Sequence, residues 1–103
     1  VTSELTPKVI VSITRYTVSV LPADNPNHRH YALHVELKPD GWTVGDGHSY
    51  YHPDGSWQPG QGLAHRFADC EDALAVAREA APQWNANGLT ATDVYHRTHP
   101  TTA

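Results

Sequence analysis

A chain of 103 residues, 39% hydrophobic and 17% charged, has the length of one domain and a globular composition, neither disordered nor membrane-spanning. Its formal charge of −4 with neutral histidines argues against broad binding to a phosphate backbone, which needs a basic face. The single cysteine, Cys70, excludes an internal disulfide and a cysteine-based zinc cluster.

Residues 1–8, "VTSELTPK", read as a polar lead-in without the charged-then-apolar order of a signal peptide. No apolar run approaches the roughly 20 residues of a membrane span, so the expected setting is the cytoplasm, with no membrane partner. From Val9 to Val20 the chain is β-branched and aromatic, but its parity changes. Val9, Val11 and Ile13 share one face, whereas Tyr16, Val18 and Val20 share the other. A break near Thr14-Arg15 follows, with "RYTVSVL" the firmer strand and "VIVSI" packing separately or pairing elsewhere. "PADNPNHR" is a loop dense in Pro, Asn and Asp.

"HYALHVELK" carries the cleanest pattern. Tyr31, Leu33, Val35 and Leu37 alternate with His30, His34, Glu36 and Lys38, as in a strand with one wet face. "KPDGW" turns the chain, "WTVGD" returns with Trp42 and Val44 on one side, and "HSYYH" follows. A second Pro-Asp-Gly then leads into "SWQ". The tripeptide at 39–41 and 53–55 reads as turn chemistry used twice in an antiparallel meander, rather than as a repeated ligand site. "PGQG" ends the meander, and "LAHRF" has the composition of a last short strand.

"ADCEDALAVAREAAP" predicts a helix over about 69–81, capped by Asp69 with Asp72 in the capping-box position and closed by Pro82. Cys70, Ala73, Leu74, Ala77 and Ala81 share one face, mostly alanine, that can lie close against a sheet, with Leu74 and Val76 as the larger contacts. "NANG" turns the chain. The stretch 89–97 fits a strand or a short helix, and the spacing of Thr90, Thr92 and Val94 favours the strand. The expected fold class is α+β: an antiparallel β-meander of 3–5 strands with one α-helix packed on one face. It forms a single domain over 9–97, followed by a flexible tail at 98–103.

His28, His30 and His34 stand at even positions, so an extended strand would project them from one face. His48 and His52 would share a face of a later strand. Were these strands neighbours, imidazoles could gather around zinc, nickel or copper at about 2.0–2.1 Å. No carboxylate stands at a matching spacing, so these are expected to be ordinary wet-face histidines, and no cofactor is expected. Protonating all eight histidines would carry the formal charge from −4 to +4 (−4 + 8), which makes a pH-responsive surface a further reading.

Tyr50, Tyr51 and Trp57, with His30, His34 and Arg29, have the composition of a protein-binding hot spot and form the candidate partner-binding set. Tyr50 and Tyr51 are adjacent and must point to opposite faces of a strand, while Tyr31 and Trp42 are expected in the core. The same exposed aromatics would also suit stacking on single-stranded bases. The chain has no Gly-rich phosphate loop, His-Glu-x-x-His pair or Gly-x-Ser-x-Gly elbow. Asp46, Asp54 and His52 could form an acid/base set, but their Asp-Gly loops read first as turns, as does "GDG" at 45–47, and no enzymatic activity is expected. Asp69, Glu71 and Asp72 surround Cys70 and disfavour its thiolate.

"HYALHVELKPDGWTVGDGHSYY" followed by "HRFADCEDALAVAREA" is similar in element order to the three-strand-plus-helix arm-binding modules of phage-type integrases. That resemblance implies a sheet that enters the DNA major groove. Glu36, Asp40, Asp46 and Asp54 stand where such a module would carry basic residues, and Arg15, Arg29, Lys38, Arg66 and Arg97 would have to cluster to replace them. Separately, "RYTVSVLPADN", "HRFADCEDALAVAREAAP" and "NGLTATDV" resemble small proteins encoded by high-GC actinobacteria and their phages. That resemblance implies a setting and no activity; small phage proteins of this kind often bind a host protein. The expected function is therefore a non-enzymatic accessory protein, phage- or mobile-element-encoded, binding a host or partner protein through its exposed sheet face or hairpin loops. The alternatives are a sheet-based nucleic-acid-binding module and a histidine-based metal or pH-responsive site. An open sheet edge also leaves room for a homodimer.

Overall fold

The alternation of Leu33 and Val35 with His34 and Glu36 forms the spine of a five-stranded antiparallel sheet in the computed structural model, which describes residues 7–86 and 88–98. Most of the expected lead-in (1–8) and all but the first residue of the expected tail (98–103) lie outside those residues, as does Asn87 in the "NANG" turn. The strands are β1 (Arg15–Val18), β2 (Leu33–Lys38), β3 (Gly41–Gly45), β4 (Ser49–Tyr51) and β5 (Trp57–Pro59), hydrogen-bonded in chain order. Residues directly opposite one another share a sheet face, so the register assigns every side chain. Tyr16 faces Val35, Val18 faces Leu33, Val44 faces Val35, Trp42 faces Leu37 and Trp57 faces Tyr51, which puts all of these on one face. Arg15, Thr17, His34, Glu36, Lys38, Tyr50 and Gln58 occupy the other.

Helix α1 (Cys70–Ala80) covers the first face, and Leu33, Val35, Val44, Ala73 and Ala77 are fully buried between the layers. Its N-terminus is capped as expected: the Asp69 carboxylate accepts the Glu71 N–H at 3.0 Å. Pro82 sits in a single 3-10 turn, Ala81–Gln83, that ends the helix. The architecture is α+β, as the sequence predicts.

A second, smaller cluster joins Leu21, Tyr31, Ala91 and Val94. Around it lie a two-stranded hairpin, β6 (Asn85–Ala86) and β7 (Leu89–Thr90), and a second helix, α2 (Ala91–Thr98). The buried Tyr31 hydroxyl lies 3.0 Å from the Ala86 carbonyl and 3.1 Å from that of Leu89, holding the hairpin to the body. The expected strand over 89–97 is thus only two residues long and gives way to a helix. Its cause is a capping box: the Thr90 hydroxyl accepts the Asp93 N–H at 3.2 Å, and the Asp93 carboxylate accepts the Thr90 N–H at 3.1 Å. Among the described residues no helix is long and apolar enough to cross a membrane.

Three further expectations change. Among the described residues "VIVSI" neither pairs nor packs: Val9, Ile10, Val11 and Ile13 are 94, 80, 91 and 64% exposed. The reason lies in the register. Arg15 pairs with Glu36, Leu37 donates to the Thr14 carbonyl, and β2 ends at Lys38, so β2 does not extend beside the residues before Ile13. "LAHRF" is not a strand; Gly60 at φ +105° leads into a 3-10 turn at Gln61–Leu63, and only Phe67 bridges to Trp42, through two bonds of 2.8 Å. Finally, His28 to His30 form a 3-10 turn rather than the start of β2. Asn25 caps its approach by accepting the Asn27 N–H, and the His28 ring bonds the Leu21 carbonyl at 2.9 Å.

The two Pro-Asp-Gly turns have different requirements. Gly41 (φ +141°) lies so close to the Phe67 segment that a Cβ there would stand 2.8 Å from the Phe67 carbonyl, whereas at Gly55 (φ +85°) the nearest atom is 4.0 Å away. Gly55→Ala should cost about 1–2 kcal/mol, the backbone term alone. Gly41→Ala should cost about 3 kcal/mol or more, because a fixed backbone oxygen cannot yield. Urea unfolding of the two variants measures the difference directly.

Candidate functional site

Helix α1 buries positions 73, 74 and 77 against the sheet, with Ala81 just beyond its end. Val76, Glu79, Ala80 and Gln83 follow at i, i+3, i+4 and i+7, so they form a second stripe beside the buried one. That stripe walls a cleft of about 600 Å³ between the end of α1 and the β4–β5 hairpin. Tyr51 and Trp57 line the opposite wall from neighbouring strands, and Trp84 closes the end where the chain leaves the Pro82 turn. Gly55 of the second Pro-Asp-Gly turn lies at the rim, and Asn85 adds an amide beside Trp84.

The rings meet at steep angles. Trp57 and Trp84 are 4.7 Å apart between centroids at 74°, and Tyr51 and Trp57 are 5.4 Å apart at 65°. Such edge-to-face contacts fix each ring and set the ring planes at steep angles to one another. Tyr51 is also held by Phe67, stacked at 5.9 Å, and by His65, edge-on at 6.3 Å. Among the described residues Glu79 is the only charged side chain lining the cleft. The Gln83 amide donates to the Glu79 carbonyl at 3.4 Å, so its side-chain oxygen keeps its acceptor capacity.

The six candidate partner-binding residues separate into three places. Tyr51 and Trp57 are in the cleft. Tyr50 lies on the opposite sheet face, its ring packed over Gly45, and His34 is on that same face, 3.3 Å from the Thr17 hydroxyl. Arg29 and His30 belong to the exposed 3-10 turn, with His30 beside a smaller hollow of about 210 Å³ next to Tyr31 and Arg97.

The histidines do not form the expected strand-face array. His28 is tied to Leu21, His48 is exposed in the β3–β4 turn, and His52 is buried with no partner for its Nε2 among the described residues. Among the described residues no three His, Cys, Asp or Glu side chains are grouped to hold a metal ion. The acid/base candidates stabilise their own turns: Asp46 accepts the His48 and Ser49 N–H groups, and Asp54 accepts from Ser56, which holds the Asp54 carboxyl below the usual carboxylate range. Burial, then the Glu71 and Asp69 carboxylates, push the Cys70 thiol up.

Two of the basic residues have carboxylate partners. Arg66 bonds Asp40 at 2.8 Å and also donates to the Ala64 and Gln61 carbonyls, while Lys38 pairs with Glu36 at 3.6 Å. Arg15 lies opposite Glu36 on the open sheet face. Comparison with known protein families, with curated proteins and with solved structures finds no match for this chain.

His34 gives the open face a pH dependence. Partial burial first, then Arg15, lower its pKa below the ordinary 6.5, against the opposing pull of Glu36. Between the lowered folded value and 6.5 the unfolded chain binds more protons, so this contribution to stability is present above pH 6.5 and is lost as pH falls through that window. His34→Gln should therefore show a shallower loss of stability than the wild type from about pH 7 to pH 5, read from urea midpoints across that range.

Proposed function

We propose that this chain is a non-enzymatic accessory protein that acts in the cytoplasm and binds a partner protein through the aromatic cleft beside its β4–β5 hairpin. The observation that carries this reading is the convergence of Tyr51, Trp57 and Trp84 around one cleft, with a single carboxylate at its wall. Interfaces draw most of their binding energy from a few Trp, Tyr and Arg side chains set in preformed hollows, and rings already locked by their neighbours lose little entropy on binding. The open sheet face offers less, because polar side chains on it already pair with one another: Lys38 with Glu36, and His34 with Thr17. The proposed partner is a host protein of a high-GC actinobacterium, the setting that the sequence resemblance implies.

The test is capture from lysate of a high-GC actinobacterium, with and without nuclease treatment, with the wild type beside Trp57→Ala and Arg15→Ala and the bound protein quantified by mass spectrometry. One protein should be retained by the wild type and by Arg15→Ala, and reduced roughly tenfold or more by Trp57→Ala, the loss expected for a hot-spot ring. Loss with Arg15→Ala and retention with Trp57→Ala would move the site to the open face. Recovery of nucleic acid alone, abolished by nuclease, would replace this reading with the sheet-based nucleic-acid module.

A further inference from the structure

We infer that the cleft accepts the guanidinium of an arginine side chain presented by the partner protein, an inference that rests on the cleft being the binding site. Three features of the walls select this group. The first is aromatic. Trp57 stands edge-to-face with Trp84 at 74° and with Tyr51 at 65°, so the three rings that line the cleft lie in different planes around it. A planar cation lying on an indole face gains both cation–π attraction and stacking, and arginine does this where lysine offers only a compact, strongly hydrated charge.

The second feature is the acceptor set. Glu79 carries a carboxylate, Gln83 and Asn85 carry side-chain amides with acceptor oxygens, and all three residues line the same cleft. The guanidinium carries five N–H donors in a fixed fork and no acceptor, so it can pair bidentately with the carboxylate while further donors reach the amides. An ammonium would leave part of that set unused.

The third feature is the sign of the charge. Among the described residues no Lys or Arg lines the cleft to neutralise Glu79. Arg78 is its immediate neighbour in α1, and successive helical residues do not face each other. The whole chain adds a formal charge of −4, which draws a cation and repels an acidic group. At about 600 Å³ the hollow also exceeds one side chain, so the residues flanking the arginine can enter with it.

The experiment uses the full chain, with uniform nitrogen-15 labelling, titrated with acetyl-Gly-Arg-Gly-amide and with the same peptide carrying citrulline, arginine's neutral near-isostere. A single side chain supports an affinity of about 1 mM, and the indole N–H signals report it. The arginine peptide should shift the Trp57 and Trp84 signals and leave that of Trp42, away from the cleft, in place. The citrulline peptide should bind roughly tenfold more weakly, as should the arginine peptide to Glu79→Gln, an exposed position where folding is not in question. Equal binding of the two peptides, or full affinity in Glu79→Gln, would overturn the inference. So would unmoved Trp57 and Trp84 signals at saturating peptide. If those failures occur while Trp57→Ala still loses the captured partner, the cleft remains the binding site and only its ligand class falls.

Discussion

The close contact of an alanine face with the sheet decides where everything else in this molecule lies. Ala73 and Ala77 are fully buried against Leu33, Val35 and Val44, and their short side chains let α1 approach without displacing those residues. Packing at protein density leaves little freedom to rotate the helix about its axis once this stripe is seated. The neighbouring stripe, Val76, Glu79, Ala80 and Gln83, must then project toward the β4–β5 hairpin, where the sheet still shows Tyr51 and Trp57. The cleft is therefore a by-product of docking register.

A second constraint supports the cleft from behind. The chain leaving β5 does not join the sheet; it turns through Gln61–Leu63 and runs back past β3 as far as the Trp42–Phe67 bridge. Arg66 fastens this return to the first Pro-Asp-Gly turn through Asp40, and His65 donates its N–H to the Tyr51 carbonyl at 2.8 Å. Phe67 and His65 then pack against the Tyr51 ring, so an aromatic wall of the site is fixed by residues that do not line it. Rings held this way are preorganised, which lowers the entropic cost of binding.

Much of the fold was legible because its signals are local. Alternation in 33–38 gave β2, the two Pro-Asp-Gly turns placed the hairpins, and the i, i+3, i+4 alanines predicted both α1 and the face it buries. The errors came where a local pattern depended on a distant partner. "VIVSI" has the composition of a strand, but β2 is too short to pair with it. The even spacing of His28, His30 and His34 presupposed an extended chain that the Asn25 turn prevents. Helix α2 had a readable signal, Thr90-x-x-Asp93, that was outweighed by β-branched composition.

For the site, Tyr51 and Trp57 were accessible from composition, and adjacency alone sends Tyr50 and Tyr51 to opposite faces, but which of the two faces the helix is set by the pairing of Tyr50 with Gly45 and of Tyr51 with Trp57. Trp84 was missed because it follows a helix-ending proline, where no periodicity applies. Glu79 and Gln83 were in plain view as part of the 76, 79, 80, 83 stripe, the helix's second face, which becomes informative only once the first is known to be buried. The most direct measurement of the central claim is a chemical-shift map of the labelled protein bound to its captured partner, using its three tryptophan indoles as reporters. The account predicts that Trp57, Trp84 and the amide of Glu79 shift while Trp42, His34 and Lys38 do not. Shifts concentrated on Arg15, His34, Lys38 and Tyr50, with the Trp57 and Trp84 signals unmoved, would contradict it.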